Sequence, residues 1–429
     1  MNKTFFVEYV VKWFSLLASR FVEKINGLKD APKYLYKVML KKEYSPDLKW
    51  SSTTLSRSVV AADVVALDSP LPLKKRDSLS RADGDIPKVG MKLSKGEKVI
   101  SDINLMKFRG ATEATIAGKL FDDTFKVISG IYERIEHMFL QALSTGVTLA
   151  VDSDNSGIGI RVDFGYLDKN KFGAEKKWSD GPANIVPLSD ITRVLANVSN
   201  DGNVIQLIML DKATFDKIRT SEEGKQLYAA SIGFSGANIP IPTTGNFQSL
   251  LENEFKVTIQ LVDRSVRIEK DGKQTSVKPF ATNTLVFLPS AQVGSLFWGT
   301  LAETTNPVNA VDYSTVDDFI LLSKYSKNDP LREFTSSQAL VIPVIEDVES
   351  IYILNTEEAQ SDEGQTEGDT TITIYDDPTI LKADVITALA SVGVTVKSTI
   401  TDAALIKKVN GLSDEKEAAF KEALDALAE

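Results

Sequence analysis

Residues 328–335 (NDPLREFT) stand where a mixed sequence changes into strongly apolar segments. Two such segments follow, ALVIPVI at 339–345 and SIYILN at 350–355. Short continuous apolar runs bounded by polar residues are typical of buried strands. We therefore expect these strands to complete the main folded body, which ends near residue 356.

The composition is that of a folded protein with more than one domain. The chain has 429 residues, of which 43% are hydrophobic and 25% are charged, and its net charge is −10. An acidic chain is not expected to coat nucleic acid with a basic surface. With no cysteine and His137 as the only histidine, disulfides, thiolate metal sites and histidine-based triads are excluded. We predict no catalytic residues and no cofactor, and an enzyme is the least favoured class.

The N-terminal segment is apolar enough to raise the question of a membrane anchor. Glu8 and Lys12 interrupt the apolar run, and the segment has no small-residue cleavage site. The large apolar residues recur at helical spacing: Phe6, Val10, Trp13, Leu17 and Phe21. We predict an amphipathic helix that lies against protein and starts an arm covering residues 1–65, with no membrane partner.

Residues 66–100 form a long excursion with a basic balance and few apolar residues. Turn-forming residues at 81–87 (RADGDIP) predict its tip, so the excursion is expected to have two strands. A two-stranded ribbon is marginal alone in water, so it should lie on a partner, although a solvated loop is the simpler alternative. Its basic residues are the candidates for contacts between subunits: Lys74, Lys75, Arg76, Arg81, Lys88 and Lys92.

The longest helical pattern runs from about residue 115 to 144. Its apolar stripe contains Leu120, Phe125, Ile128, Tyr132, Ile135, Phe139 and Leu143. One continuous helix of this length would span roughly 45 Å. His137 lies on it without a partner cluster, which favours a packing or surface role. Further along, residues 190–305 predict a compact α/β unit, with strands at 203–210 and 284–289 and a hairpin within 265–280.

Residues 151–163 (VDSDNSGIGIRVD) have spacing close to that of a calcium loop. Asp152, Asp154 and Asp163 are the weak metal candidates. A functional loop of this kind needs a helix after its last ligand, and the residues that follow show no helical stripe. The alternating flanks instead favour a β-hairpin that needs no calcium, with Asp152 and Arg161 on its polar face.

The C-terminal part has a different composition. Residues 357–369 carry six carboxylates and no basic residue, which predicts a disordered acidic linker. Residues 370–429 then predict a small α/β domain with strands TITIY and VTVKS, a helix from Pro378 to Val392, and two further helices.

The order of these elements, together with NDPLREFT, resembles the major capsid proteins of tailed phages. Five residues of this stretch are similar to the DPxREFT-like motif of the lambda-type (E family) proteins, which have the Hong Kong 97 fold: Asp329, Pro330, Arg332, Glu333 and Phe334. Weaker similarity lies at Lys177-Trp178-Ser179, and the likeness covers about residues 45–356. It implies an α+β fold with an N-terminal arm (1–65), an extended loop (66–100), a peripheral domain (101–190 and 305–356) with a spine helix (115–145), and an axial domain (190–305). The linker and the small C-terminal domain are additions to this pattern.

The resemblance also implies a function. Such a subunit is not an enzyme but assembles as hexamers and pentamers into the icosahedral shell around phage DNA. Its expected partners are further copies, scaffolding, portal and decoration proteins, and double-stranded DNA held by weak non-specific contacts. It would be found in the virion after assembly in the bacterial cytoplasm. The alternatives are an encapsulin-like bacterial compartment shell and, less favoured, a calcium-dependent surface binding module.

Overall fold

The computed structural model describes two compact units, residues 1–360 and residues 361–429. In the first unit the described residues are 3–27, 34–54, 80–150, 160–236, 239–270 and 273–360. In the second unit they are 371–374, 377–392, 394, 402–409, 412, 416, 417, 419–421 and 423.

The helices of the first unit are distributed along its whole length. They are α1 (Val7–Asn26), α2 (Tyr36–Met39), α3 (Glu97–Phe108), α4 (Glu113–Leu120), α5 (Asp122–Thr145), α6 (Pro187–Asn200), α7 (Lys212–Thr220), α8 (Glu222–Ser231), α9 (Thr244–Phe255) and α10 (Ala302–Thr305).

The strands of the first unit belong to two larger sheets and three hairpin pairs. They are β1 (Leu40–Tyr44), β2 (Lys49–Thr54), β3 (Ser80–Asp85), β4 (Lys88–Gly96), β5 (Val147–Ala150), β6 (Ile160–Asp163), β7 (Lys171–Ala174), β8 (Leu207–Leu210), β9 (Thr258–Leu261), β10 (Val266–Lys270), β11 (Lys273–Val277), β12 (Thr284–Leu288), β13 (Gly294–Gly299), β14 (Asp312–Val316), β15 (Ile320–Lys327), β16 (Arg332–Ile345) and β17 (Tyr352–Ala359).

The first sheet is organised around the long strand β16 and has the order β1-β13-β16-β15-β14. The first part of β16 pairs with β15 and β4, and its last part, from Leu340 onward, pairs with β13. Helix α5 packs against β16 and β4. The first sheet therefore joins three distant parts of the sequence: residues 40–44, residues 88–96 and the apolar segment at 339–345.

The second sheet has the order β7-β17-β12-β8-β9. Residues 285–288 of β12 are fully buried and alternate between two hydrophobic clusters, so both faces of this strand are covered. Strands buried on both faces have apolar residues at every position, which is why the runs at 203–210 and 284–289 were recognisable. β7 and β17, expected in the peripheral part, pair within this sheet, whereas β13, expected in the axial part, pairs within the first sheet. Pairing between apolar strands, and not position in the chain, decides to which sheet a strand belongs.

The N-terminal helix lies against protein, as predicted. Its buried face contains Tyr9, Val10, Phe14, Ala18 and Val22. The predicted stripe residues Trp13, Leu17 and Phe21 are only partly buried, because the contact face is rotated by about one residue. None of the described helices is long and apolar enough to cross a membrane.

The continuous helix predicted at 115–144 is in fact two helices. α4 ends at Leu120, Phe121 leaves helical geometry, and α5 begins at Asp122. Phe121 is fully buried, and its ring stacks at 6.0 Å on that of Phe14. α5 ends where Gly146 adopts a left-handed conformation with φ of 73°. With 24 residues, α5 is about 36 Å long, and it is the spine helix below.

The excursion is built differently from the prediction. β3 pairs with β2, whereas β4 pairs with β16, so residues 81–87 are not the tip of a hairpin. Trp50 and Ile86 are buried in the main cluster, and a Cβ atom at Gly84 would lie only 3.0 Å from Nε1 of the Trp50 indole, a tight contact. This packing ties the segment to the core. Residues 55–79 lie outside the described residues, and residues 97–100 begin helix α3.

The hairpin predicted around residues 151–163 is confirmed in its strands. β5 and β6 pair antiparallel, and Leu149 lies opposite Arg161. Asp152 and Asp154 lie outside the described residues. Asp163 lies opposite Val147, and its carboxylate accepts a hydrogen bond of 2.9 Å from the Gly165 amide, as expected of turn chemistry.

The acidic segment begins inside a strand and not in a linker. β17 continues to Ala359, and the Gln360 amide donates to the Ala174 carbonyl at 2.8 Å. Residues 361–369 lie outside the described residues.

The second unit contains β18 (Thr371–Ile374), β19 (Asp377–Leu381), α11 (Lys382–Ser391) and α12 (Asp402–Val409). β18 pairs with β19, so Leu381, predicted on a helix face, belongs to a strand. VTVKS lies almost wholly outside the described residues. The apolar cluster contains Val385, Ala388, Leu389, Leu405, Val409 and Phe420.

Candidate functional site

A buried ion pair involves the stretch NDPLREFT, whose first four residues form a turn and whose last four begin β16. Lys324 on β15 and Glu333 on β16 are 0% and 1% exposed, and their Nζ and Oε1 atoms are 3.6 Å apart. Lys324 also donates to the Thr335 hydroxyl at 3.0 Å. Burial lowers the pKa of Lys324, and the carboxylate of Glu333 opposes this effect.

The same carboxylate binds the start of the chain. The Thr4 hydroxyl donates to Glu333 Oε1, and the Phe5 amide donates to Oε2 at 3.2 Å. The Ser326 hydroxyl donates to the Lys3 carbonyl at 2.6 Å. Because a buried carboxylate needs several partners, Glu333 holds the N-terminal segment against the first sheet.

Lys95 connects the excursion strand β4 to the start of the spine helix. Its ammonium group pairs with Asp122 and, at 2.9 Å, with Asp123. Both carboxylates lie in the first turn of α5, where the helix dipole favours negative charge. Burial opposes ionisation of Asp123, but Lys95 and Lys126 outweigh it and keep its pKa below the ordinary value. We call this set of Thr4, Lys95, Asp123, Lys324 and Glu333 the N-terminal joint.

The remaining residues of the family-like stretch contribute around this joint. Arg332 begins β16, and its guanidinium donates to the Ser94 hydroxyl on β4 at 3.3 Å. The Phe334 ring stacks on Tyr325 at 5.2 Å. Asp329 and Pro330 form the turn between β15 and β16. The structure therefore brings together the motif, the excursion and the chain start, a convergence that no local pattern in the sequence signals.

A second cluster lies further along the spine helix. Asp317, a left-handed residue with φ of 53°, accepts from Lys37, Lys42 and Tyr132 at distances of 2.7–2.8 Å. Burial raises the pKa of Asp317, but the two lysines outweigh it and the net shift is downward. Glu136 is fully buried and accepts from the Leu35 and Tyr36 amides at 2.9 and 3.0 Å.

The candidate contact residues of the excursion fall into two groups. Lys74, Lys75 and Arg76 lie outside the described residues, as does the side chain of Arg81. On β4, the Lys88 ammonium is 4.0 Å from Glu303, and the Lys92 ammonium lies 5.4 Å from the Phe334 ring centre. The structure thus brings Lys88 and Lys92 next to the first sheet of their own chain.

The described residues contain no group of three or more acidic, histidine or cysteine side chains that could hold a metal ion. His137 is 7% exposed, in agreement with a packing role. Burial, with a smaller contribution from Arg134, lowers the pKa of His137 to about 4. The imidazole is therefore neutral at pH 7.

The fold as a whole is α+β, the class predicted from the sequence, with a spine helix against one mixed sheet and a second mixed sheet beside it. No protein-family model matches the chain, and no curated protein matches it. Several solved structures are similar to it, and most of them are capsid proteins of phages or prophages.

One such structure is described as a prophage capsid protein from E. coli CFT073. It is 12% identical, with a TM-score of 0.49, and the match covers 79% of this chain and 97% of that chain. The cyanophage A-1(L) capsid protein is 12% identical, with a TM-score of 0.42 and coverages of 77% and 95%. A virus-like particle from Pyrococcus furiosus is 13% identical, with a TM-score of 0.35 and coverages of 80% and 99%.

Proposed function

We propose that this chain is a major capsid protein of a tailed phage with the Hong Kong 97 fold, a structural subunit and not an enzyme. One observation carries the proposal. The family-like stretch and the excursion, two independent features of the sequence, form one unit, because Arg332 and Phe334 lie opposite Gly96 and Ser94 in the β4–β16 register. An excursion fixed at its base and directed from a rigid sheet is suited to reach a neighbouring subunit.

Assembly then follows from repeated contacts between copies. The basic residues Lys74, Lys75, Arg76 and Arg81 of one subunit lie on the acidic body of the next, and the N-terminal arm adds a second link. Many weak identical interfaces arranged with closed symmetry give hexamers and pentamers, and together these form a shell. In the shell, the first sheet and the spine helix serve as the peripheral domain, expected at residues 101–190 and 305–356, and the second sheet serves as the axial domain, expected at residues 190–305.

The remaining partners belong to the same proposal. Scaffolding and portal proteins direct assembly in the bacterial cytoplasm, and decoration proteins bind the finished virion. The packaged double-stranded DNA meets the inner surface only by weak contacts, in keeping with the net charge of −10.

Electron microscopy of the purified full chain tests the proposal, alone and after co-expression with neighbouring phage assembly genes. We expect closed particles with hexameric and pentameric clusters. A quadruple variant, Lys74→Glu, Lys75→Glu, Arg76→Glu and Arg81→Glu, should remain folded but should not close shells. A chain that stays monomeric at every concentration under both conditions would contradict the proposal.

An encapsulin-like compartment is the second candidate, since the chain is also similar to an archaeal virus-like particle. The contents of native particles decide between the two. A phage capsid holds double-stranded DNA, whereas a compartment holds cargo enzymes.

A further inference from the structure

A groove of about 660 Å³ lies above the middle of the spine helix, between two strands. Residues 89–93 of β4 form one wall, and residues 266–269 of β10 form the other. The floor includes Gly130, Arg134 and His137 of α5. Consecutive residues of two strands line the groove, so its shape suits an extended polypeptide.

One wall of this groove offers backbone hydrogen bonds. Among the described strands, β4 pairs only with β16, so its other edge has unpaired amide and carbonyl groups. An exposed strand edge is a template for the addition of another strand. Residues 88–94 are partly or fully exposed, and no described strand covers this edge.

The charge of the groove indicates the chemistry of that chain. Arg134, Arg267 and Lys92 have no ion-pair partner in the part of the chain that the structure describes. The two acidic residues of the lining are occupied, because Glu133 binds Arg264 at 2.8 Å and Glu269 accepts from Gln274 at 3.0 Å. The groove is therefore positive and fits an acidic segment.

We infer that this groove binds the acidic segment 361–369 of a second copy of the chain. This inference rests on the proposed function, which brings copies together. The segment SDEGQTEGD has four carboxylates and no basic residue, and the preceding Glu357 is already paired with Lys217 at 2.7 Å. The bound segment lies along β4 as an added strand, with its carboxylates near Arg134 and Arg267.

Peptide binding tests the inference without the need for assembled shells. A fluorescent peptide of residues 357–370 is titrated into the full chain and into Arg134→Glu/Arg267→Glu. We expect the charge reversal to weaken binding by about tenfold or more. Lys119→Glu/Lys212→Glu, the same charge change at exposed lysines outside the groove lining, should leave binding unchanged. Equal binding to all three proteins, or equal binding of a scrambled peptide, would overturn the inference.

Charge exchange between copies tests whether the segment comes from a neighbour. Residues Asp362, Glu363, Glu367 and Asp369 are changed to lysine in one chain, and Arg134→Glu/Arg267→Glu is made in another. Each variant alone should lose assembly, whereas an equimolar mixture of the two should regain it by light scattering, because the segment of one copy then meets a groove of opposite charge in the other. If wild-type shells form and the mixture does not recover, the inference fails while the proposed function stands.

Discussion

The two sheets of the first unit reach stability by different means. In the second sheet, residues 285–288 of β12 are apolar and fully buried, and its buried carboxylates bind mostly to nearby residues. Asp190, for example, binds Arg193 three residues away at 2.9 Å. In the first sheet, by contrast, Lys324 and Glu333 are buried in the strands, and Glu333 binds Thr4 across 329 residues of sequence. The second sheet has a hydrophobic cluster of its own on one face, whereas the first sheet, besides its apolar packing, fastens distant segments through buried charges.

For the shell subunit that we propose, this difference has a role. Segments that link copies must be held firmly at their base, and the charged contacts of the first sheet hold the N-terminal segment and β4. A buried ion pair contributes little net stability compared with apolar packing, but the loss of one partner is costly. Such contacts therefore specify position more than they add stability.

The largest effect is expected from Glu333→Ala, which breaks the N-terminal joint. The change leaves the Lys324 ammonium buried without its carboxylate, so the free energy of unfolding should fall by about 3–5 kcal/mol. Denaturant unfolding measures the loss. Hydrogen exchange should also show faster exchange of the Phe5 amide, which has lost its acceptor.

Two further variants test whether the broken pair of Lys324 and Glu333 causes the loss of stability. Glu254→Ala, at an exposed position, should change stability little. The apolar pair Lys324→Met/Glu333→Leu should recover much of the stability but not the protection of Phe5. A loss below about 1 kcal/mol for Glu333→Ala would mean that the pair does not fasten the segment.

Leu285→Ala in the second sheet removes apolar packing without removing a charge. It leaves a cavity in the cluster that contains Phe215 and Phe247, so the free energy of unfolding should fall by about 2–5 kcal/mol. Exchange at Phe5 should remain slow under native conditions, because no charged contact is touched. Equally fast exchange of the Phe5 amide in Leu285→Ala and Glu333→Ala would show that packing in the second sheet also holds the N-terminal segment.

Acid conditions should weaken the protein through His137 on the spine helix. Its folded pKa of about 4 lies below the unfolded value of about 6.5, so the unfolded state binds the proton first. Stability should fall as the pH drops from 7 to 4, by at most about 3 kcal/mol from this residue. Denaturant unfolding at several pH values should give a shallower slope for His137→Gln. Parallel slopes would show that the imidazole is not responsible.

The sequence predicts the apolar strands of the second sheet better than the charged contacts of the first sheet, and the reason is physical. The apolar runs at 203–210 and 284–289 identify strands because a strand buried on both faces is apolar along its length. Lys324, in the segment LLSKYSK, cannot be distinguished from a surface lysine by its neighbours in sequence. Its partner Glu333 reaches it only once the strands have paired. Phe121, where α4 ends, likewise stacks on Phe14, over a hundred residues away. Long-range partners, and not local patterns, determine the joint, the helix break and the pairing of β4.

The smallest effect is expected at Asp211, where the second sheet uses a charge locally. Its carboxylate caps α7 by accepting from the Ala213 and Thr214 amides at 3.0 and 3.3 Å, and it also accepts from Asn283 at 3.3 Å. Asp211→Ala should lower the free energy of unfolding by about 1–2 kcal/mol, as for other caps, whereas Asp211→Asn should keep most of it. Thermal unfolding measures both. The contacts of this carboxylate lie within its own region, so its loss should lower the melting temperature without faster exchange at Phe5. A loss as large as that of Glu333→Ala would contradict the distinction between local and long-range charges on which the comparison depends.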